Sequence, residues 1–116
     1  MRLFLYGTLL DPETLAARSG DPGLPQQCRD AALRGWRRVS LTGTKWPTLQ
    51  RRRGASVAGK LVTARAAAVR RLSAYEGPTY RLHRVIVEPR TPAWTWIAPG
   101  GTRQPWTKHR SCHDQL

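Results

Sequence analysis

The sequence predicts an α+β domain in which two helices flank a mostly antiparallel or barrel-like sheet of about five strands. Three observations support this fold class. The chain has 116 residues, which is enough for one domain with one core. Short apolar runs of strand length recur, and the last two follow one another without a helix between them. Two segments carry the start and stop signals of helices, and ten glycines with nine prolines suit a turn-rich chain.

The N-terminal half begins with an apolar run over 2–6, which predicts a buried strand. A helix is predicted over 12–19, because Asp11 is a typical N-cap, Pro12 fits the first helical position and Gly20 is a typical stop. The other predictions for this half are a loop over 21–30, a strand over 33–42, a turn-rich connection over 45–54 and a strand over 56–62 with a bulge or close approach at Gly59.

The C-terminal half contains the second helix, over 64–75, for which Thr63 is the expected cap. Gly77-Pro78 ends this helix. Residues 1–98 are expected to form the domain, with 99–116 as a polar, irregular extension that either packs on it or stays apart. The remaining strands are predicted over 81–88 and over 93–98, the latter with Trp94 and Trp96 on one side.

The charge is strongly positive: 20 Lys and Arg stand against 7 Asp and Glu, which gives a formal net charge of +13. Such a balance makes nucleic acid a possible partner, because phosphate contacts supply most non-specific affinity. The charge is spread along the chain, however, with one triplet at 51–53, and no nucleic-acid-binding motif accompanies it. A solvated basic surface is therefore the favoured interpretation, and a nucleic-acid-associated module is the less favoured one.

Several protein classes are excluded by simple patterns. No apolar run approaches the roughly 20 residues of a membrane span. The apolar start is too short for a signal peptide. Cys28 and Cys112 lie 84 residues apart and form no disulfide framework. A cytoplasmic protein with reduced thiols is expected, as either a monomer or a homodimer.

The first candidate site is the tetrapeptide Tyr6-Gly7-Thr8-Leu9, where a buried strand turns just before a helix. Gly7 lacks a Cβ, so a ligand can approach its backbone closely. Successive N–H groups in such a turn can bind a carboxylate or a developing oxyanion. The alternative is an ordinary strand-to-helix turn, which the tetrapeptide alone favours.

The second candidate site is Glu76, which with Glu88 is one of two carboxylates between residues 31 and 113. It lies at the negative end of the second predicted helix, between Tyr75 and Tyr80. Burial there would raise its pKa into the range that suits a general acid or base near neutral pH. A solvated glutamate, or one paired with a nearby arginine at 81 or 84, is an equally favoured alternative.

The other reactive residues give little evidence of a functional site. His109, Cys112 and His113 have helical metal-ligand spacing but lack a fourth ligand, and a disordered tail is favoured there. The last four residues, 113–116, are similar to an ER-retention signal, yet no signal peptide precedes them. Cys28 has no nearby histidine to activate it. No metal and no cofactor are predicted.

The two candidate sites, in this order, resemble the γ-glutamylcyclotransferase-like family, also called AIG2-like. The resemblance runs from Leu3 to about Ala98, and its joint order and spacing are fairly specific. It is carried by the segments Leu3–Leu9, Leu33–Arg37, Trp46–Leu49, Val57–Leu61 and Leu72–Gly77, followed by Tyr80.

The resemblance implies a small mixed β-barrel of about five to seven strands with flanking helices. It also implies a pocket in which the backbone of Tyr6, Gly7, Thr8 and Leu9 holds the substrate, Tyr80 and the Tyr6 ring line the wall, and Glu76 is the acid/base. The implied reaction is cyclisation of a small γ-glutamyl amine or amino-acid conjugate to 5-oxoproline with release of the amine. Non-catalytic binding of an anionic metabolite in the same pocket is the alternative.

The sequence departs from the family pattern at one position. Many relatives carry an arginine two residues after the counterpart of Tyr80, and Leu82 stands there in this chain. Arg81 or Arg84 would have to supply that charge if the site needs it.

Overall fold

The computed structural model describes residues 1–106, which form a mixed six-stranded sheet and two α-helices. Short 3₁₀ helices occupy Thr8–Leu10 and Pro25–Gln27. In chain order the main elements are β1 (Arg2–Leu5), α1 (Pro12–Ser19), β2 (Arg29–Leu41), β3 (Pro47–Thr63), α2 (Ala66–Glu76), β4 (Arg81–Val87), β5 (Thr91–Ile97) and β6 (Gly101–Pro105).

The strand order is β4-β5-β1-β3-β2-β6. All neighbours are antiparallel except β1 and β5, which run parallel. The long β2–β3 ribbon bends where its register shifts between Arg34 and Trp36. Beyond β4, the N–H of Glu88 donates to the Ala32 carbonyl on β2 at 3.1 Å. This contact joins the two sides of the sheet, so the predicted α+β class with a barrel-like mixed sheet is confirmed in the form of a curled half-barrel.

The core lies on both faces of the sheet, as the alternation along β1 requires. Leu3 and Leu5 pack with Leu72 of α2 on the helix side. Phe4 packs with residues of β2, β3, β4 and β5 inside the curl. Because both faces are covered, β1 is apolar at successive positions, as the run over 2–6 predicts. The strand itself ends at Leu5.

The first helix follows its local signals. Asp11 Oδ2 accepts a hydrogen bond from the Thr14 N–H at 3.0 Å, and Gly20 ends α1 in the left-handed region with φ 70°. The second helix differs from its prediction at the start. The cap position is Arg65, with no side-chain capping bond, and Thr63 is instead the last residue of β3, so the predicted Thr63 cap is wrong.

Three strand predictions need correction. The turn-rich connection predicted over 45–54 is wrong, because β3 begins at Pro47. The strand predicted to begin at residue 33 starts at Arg29, since β2 pairs with β3 from that residue. The irregular tail is also wrong over Gly101–Pro105, which pairs with β2 as β6. In each case the strand forms through pairing with a distant segment, and a local pattern does not record such pairing.

Gly59 is a position where the absence of a Cβ matters. A Cβ there would collide with the Leu5 carbonyl oxygen and lie 2.7 Å from the Phe4 ring. The prediction of a close approach at Gly59 is therefore confirmed, while the bulge of the ribbon lies at Arg34–Trp36.

The reactive residues of the tail, His109, Cys112 and His113, and the terminal tetrapeptide lie outside the described residues. Within residues 1–106, no helix is long and apolar enough to cross a membrane, and no three His, Cys, Asp or Glu side chains form a metal cluster. Cys28 is half-buried, and its thiol donates to the Leu24 carbonyl at 3.8 Å.

Candidate functional site

A cavity of about 200 Å³ opens where the end of β1, the turn between β2 and β3, and the end of α2 come together. This volume is below the roughly 300–1,000 Å³ of pockets for drug-sized ligands, so a small ligand fits it best. The lining residues are Phe4, Leu5, Tyr6, Gly7, Thr8, Leu9, Trp46, Pro47, Tyr75, Glu76, Tyr80, Thr95 and Trp96. The structure thus brings all six residues predicted from the sequence, Tyr6 to Leu9, Glu76 and Tyr80, to one cavity.

The turn after β1 presents backbone N–H groups on one wall. The Leu10 N–H donates to the Gly7 carbonyl at 3.0 Å, and the Asp11 N–H donates to the Thr8 carbonyl at 3.2 Å. Within residues 1–106, the N–H groups of Gly7, Thr8 and Leu9 donate to no backbone or side-chain acceptor. Unpaired N–H groups at the start of a helical turn are ready to bind an anion.

Gly7 has no side chain, so it leaves space in the cavity next to its backbone. A Cβ at this position would lie 3.5 Å from Cγ of Pro47, which is an ordinary contact. The fold therefore has room for a methyl group here, and its absence leaves space for a ligand next to the backbone.

Glu76 is the last residue of α2, and the Gly77 that follows has φ 88°. Its side chain is half-buried and faces the cavity. In the described part of the chain its carboxylate has no hydrogen bond and no ion pair; Arg81 and Arg84, the alternative partners, are exposed. Burial raises the pKa of the Glu76 carboxyl from 4.5 to about 7. The carboxyl therefore exchanges its proton near neutral pH rather than near pH 4.5.

Three phenol groups fasten the cavity walls to one another. The Tyr75 hydroxyl shares a hydrogen bond of 3.0 Å with Thr8 Oγ1, which ties α2 to the turn after β1. The Tyr80 hydroxyl donates to the Pro47 carbonyl at 2.7 Å. The Tyr6 hydroxyl is buried and donates to the Trp96 carbonyl at 2.5 Å. Each phenol is already used in a contact within the fold.

The phenols also stay protonated. Burial raises the pKa of Tyr6, and nearby negative charge adds to the effect. Burial and the charge of Glu76 raise the pKa of Tyr80 to about 12. Glu76 is therefore the cavity residue whose charge changes near neutral pH.

Sequence reasoning did not assign a site role to seven cavity residues: Phe4, Leu5, Trp46, Pro47, Tyr75, Thr95 and Trp96. Trp46 and Pro47 belong to a segment that carries the family resemblance. That resemblance was the signal that could have assigned them to the site. For the site, Tyr75 was considered only as a neighbour of Glu76. Thr95 and Trp96 reach the cavity because β5 lies beside β1, a long-range pairing that no local pattern records.

Among the described residues that line the cavity, Glu76 is the one that carries a charge. Two cations contact aromatic rings that line the cavity. The Arg18 guanidinium carbon is 4.9 Å from the centre of the Tyr75 ring, and Lys45 Nζ is 5.2 Å from the centre of the Trp46 ring. Leu82 packs against the helix-side core.

The sequence profile of the family described as gamma-glutamyl cyclotransferase, AIG2-like, matches residues 3–114. The chain belongs to this family. The match covers nearly the whole sequence, including both the turn after β1 and the end of α2. No curated protein is significantly similar to the chain in sequence.

Solved structures share the fold of this AIG2-like chain at low sequence identity. A protein from Arabidopsis thaliana with a known solution structure has a TM-score of 0.75 and 23% identity, over 98% of this chain and 74% of its own. An uncharacterised protein from Pyrococcus horikoshii has a TM-score of 0.65 and 15% identity, over 95% and 87% of the two chains. A protein named gamma-glutamyl cyclotransferase has a TM-score of 0.71 and 15% identity, over 88% and 68%. At these identities the likeness shows the fold.

Proposed function

We propose that this AIG2-like protein is an enzyme that cyclises a small γ-glutamyl amine or amino-acid conjugate to 5-oxoproline and releases the free amine. The observation that carries the proposal is that Glu76 and the turn over Gly7, Thr8 and Leu9, with its unpaired N–H groups, line one small cavity. Membership of the family supports the same reaction.

In this reaction the nucleophile belongs to the substrate. The neutral α-amine of the glutamyl group attacks its own γ-carbonyl carbon, which forms the new C–N bond of a five-membered ring. Glu76 takes one proton from the attacking nitrogen and passes it to the amide nitrogen as the old C–N bond breaks. The products are 5-oxoproline and an amine, and Glu76 returns to its starting carboxylate form.

The pKa of Glu76 suits this exchange of protons. An ordinary glutamate with a pKa of 4.5 is ionised but is a weak base, whereas a pKa of about 7 makes it a stronger base that is still largely ionised above neutral pH. The chain supplies no nucleophile of its own in this scheme. Ring closure is intramolecular, so much of the acceleration comes from holding the amine against the carbonyl.

The N–H groups of the turn over Gly7, Thr8 and Leu9 would provide the partial positive charge that binds an anionic group of the substrate. Among the described residues no cation lines the cavity, so on this lining a bound anion is held by dipoles rather than by an ion pair. These groups would bind either the α-carboxylate of the substrate or the oxyanion that develops on the γ-carbonyl. Tyr6 and Tyr80 would form apolar walls against the glutamyl chain, because their hydroxyls already bind Trp96 and Pro47.

The test is to incubate the protein with a panel of γ-glutamyl amines and amino acids and to measure 5-oxoproline. Glu76→Gln should lower kcat at least 100-fold, because the acid/base is lost. Glu88→Gln is the matched control, since Glu88 pairs with Arg34 away from this cavity, and it should keep full activity. Equal turnover by Glu76→Gln and wild type would contradict the assigned mechanism.

The same panel separates turnover from mere binding. Binding of γ-glutamyl compounds without any 5-oxoproline would favour the alternative, a pocket that holds an anionic metabolite. The unpaired N–H groups are compatible with either function, and the near-neutral pKa of Glu76 favours turnover.

A further inference from the structure

We infer that Trp106, in the C-terminal segment that follows β5, is a positioning residue that holds the Trp46 wall of the cavity in place. The inference gives a role at the candidate site to a part of the chain that was expected to be a polar, irregular extension. It rests on the proposed function, because the position of this wall affects turnover only if the cavity binds the substrate.

Among the described residues that line the cavity, Trp46 is the most exposed aromatic one. It is 37% exposed, whereas Tyr6 and Trp96 are 6% and 3% exposed. A buried ring is fixed by the close-packed atoms around it, but a ring at the surface takes its position largely from the backbone that carries it. The backbone of the β2–β3 turn, residues 42–46, therefore determines where this wall of the cavity lies.

Three hydrogen bonds fix the backbone at Trp46. Two lie within the turn: the Trp46 N–H donates to Thr44 Oγ1 at 3.0 Å, and the Trp46 carbonyl accepts from the Leu41 N–H at 2.9 Å. The third comes from outside it, because Nε1 of Trp106 donates to the Lys45 carbonyl at 2.8 Å. The Lys45 carbonyl and the Trp46 N–H belong to one planar peptide unit. Trp106 and Thr44 therefore bind both polar groups of this unit and set its orientation together.

Trp106 is itself anchored to β2. Its backbone N–H donates to the Arg38 carbonyl at 3.1 Å, and the Arg38 guanidinium carbon lies 5.7 Å from the centre of its ring. The strand that precedes it, β6, pairs with β2. At the other end of the turn, the Thr42 N–H donates to the Gly100 carbonyl at 3.0 Å. The segment 100–106 thus contacts the β2–β3 turn near both of its ends and connects it to β2.

The tip of the turn depends on such hydrogen bonds because little packs against it. Residues 42–44 are exposed, and no atom lies within 4 Å of the position that a Cβ would take at Gly43. Without the bond from Trp106, the peptide unit between Lys45 and Trp46 would be free to take more orientations, and the indole of Trp46 would move with it. The net free energy of one hydrogen bond corresponds to a change of a few-fold in a binding constant.

The first variant is Trp106→Phe, which keeps an aromatic ring and removes the donor. With the γ-glutamyl compound of the panel that wild type turns over fastest, KM should rise about 3- to 10-fold while kcat stays within about 2-fold. The reason for this split is that Glu76 and the N–H groups of the turn after β1 lie on other elements. The matched control is Trp94→Phe: Trp94 is outside the cavity lining, and within residues 1–106 its indole N–H donates no hydrogen bond. Its KM should stay within about 2-fold of wild type.

A double-mutant cycle with Trp46→Ala tests whether Trp106 acts through this wall. Trp46→Ala removes the wall itself, so it should raise KM at least as much as Trp106→Phe does. In the Trp46→Ala background, Trp106→Phe should change KM by less than about 2-fold, because no ring is left to position. An equal rise of KM in both backgrounds would overturn the inference, and so would an unchanged KM in Trp106→Phe alone.

A second measurement does not depend on turnover. Backbone hydrogen exchange over residues 41–47, followed by mass spectrometry, should be about 5-fold faster in Trp106→Phe than in wild type and in Trp94→Phe, with exchange in β1 unchanged. If wild type forms no 5-oxoproline from any compound, the proposed function is refuted, but faster exchange confined to the turn would still support Trp106 as the residue that positions the wall. Unchanged exchange in the turn, or faster exchange throughout the sheet, would overturn the inference.

Discussion

Glu76→Gln is expected to make the protein more stable at alkaline pH while it abolishes turnover. The sign follows from the pKa. Burial raises the pKa of the folded-state carboxyl from 4.5 to about 7, so the folded protein binds this proton more tightly than the unfolded chain does. The contribution to stability is fully present below about pH 4.5 and is lost as the pH rises through 7. Glutamine carries no charge at any pH, so the variant does not lose this stability as the pH rises.

The magnitude follows from the same two values. A rise from 4.5 to about 7 corresponds to about 3 kcal/mol, at roughly 1.4 kcal/mol for each tenfold change in proton affinity. Glu76 is half-buried, and water screens part of its charge. We therefore expect the free energy of unfolding of Glu76→Gln to exceed that of wild type by about 1–2 kcal/mol at pH 8 and to equal it within about 0.5 kcal/mol at pH 4.

The assay is urea denaturation of both proteins at pH 4, 6, 7 and 8. Glu88→Gln serves as the control, because it removes a carboxylate that is paired with Arg34. It should lose up to about 1 kcal/mol at pH 8 rather than gain stability. A difference between Glu76→Gln and wild type that stays constant with pH, or a variant that is less stable at pH 8, would refute a buried and unpaired Glu76.

The same pKa predicts the acid limb of the activity profile. The base must be ionised to accept a proton, so kcat/KM should rise with pH and bend near pH 7. An acid limb with its midpoint near pH 4.5 would mean that the Glu76 carboxylate is solvated.

Three further substitutions test the walls of the cavity and the fold around it. Gly59→Ala should lower the free energy of unfolding by about 3 kcal/mol or more, measured by urea denaturation, because its Cβ collides with the Leu5 carbonyl. Gly7→Ala should keep stability within about 1 kcal/mol but raise KM, since its methyl group has room in the fold and intrudes on the ligand. Tyr75→Phe should cost about 1 kcal/mol and raise KM, because the bond to Thr8 is lost.

The parts of the fold that were predicted correctly are those whose signals are local. α1 begins after Asp11 and ends before Gly20, as predicted, because both capping residues lie next to the helix in the sequence. Its side-chain cap is an interaction between Asp11 and Thr14, three residues apart. Such contacts are encoded in a short window and survive in any tertiary context.

The parts that were missed depend on partners far along the chain. Thr48 lies in the segment that was predicted to be a turn-rich connection, yet it is fully buried. Its hydroxyl donates to the Ala98 carbonyl and accepts from the Ala98 N–H, both at 2.9 Å. This pairing across 50 residues lets a polar side chain lie in the core. β6 likewise forms because Val39 and Leu41 offer an open strand edge.

The candidate site shows the same division. The turn over Tyr6–Leu9 and the carboxylate of Glu76 each stand out locally, one as a strand break before a helix and the other as an acid in a basic chain. Their proximity is a tertiary fact, and the family resemblance supplied it. The outer wall made by Trp46 could not be placed from the residues themselves, because the turn that holds it was read as part of an irregular connection.

The absence of a cation from the described cavity lining has a chemical consequence for the base. An arginine in direct contact with Glu76 would bind an anionic substrate strongly, but it would also stabilise the carboxylate and lower its pKa towards 4 or below. A base of that strength accepts a proton poorly from an amine in the act of attack. In the described lining, N–H groups and aromatic rings take the place of cations, and burial holds the pKa of Glu76 near 7. Backbone N–H groups can therefore bind an anion without neutralising the base.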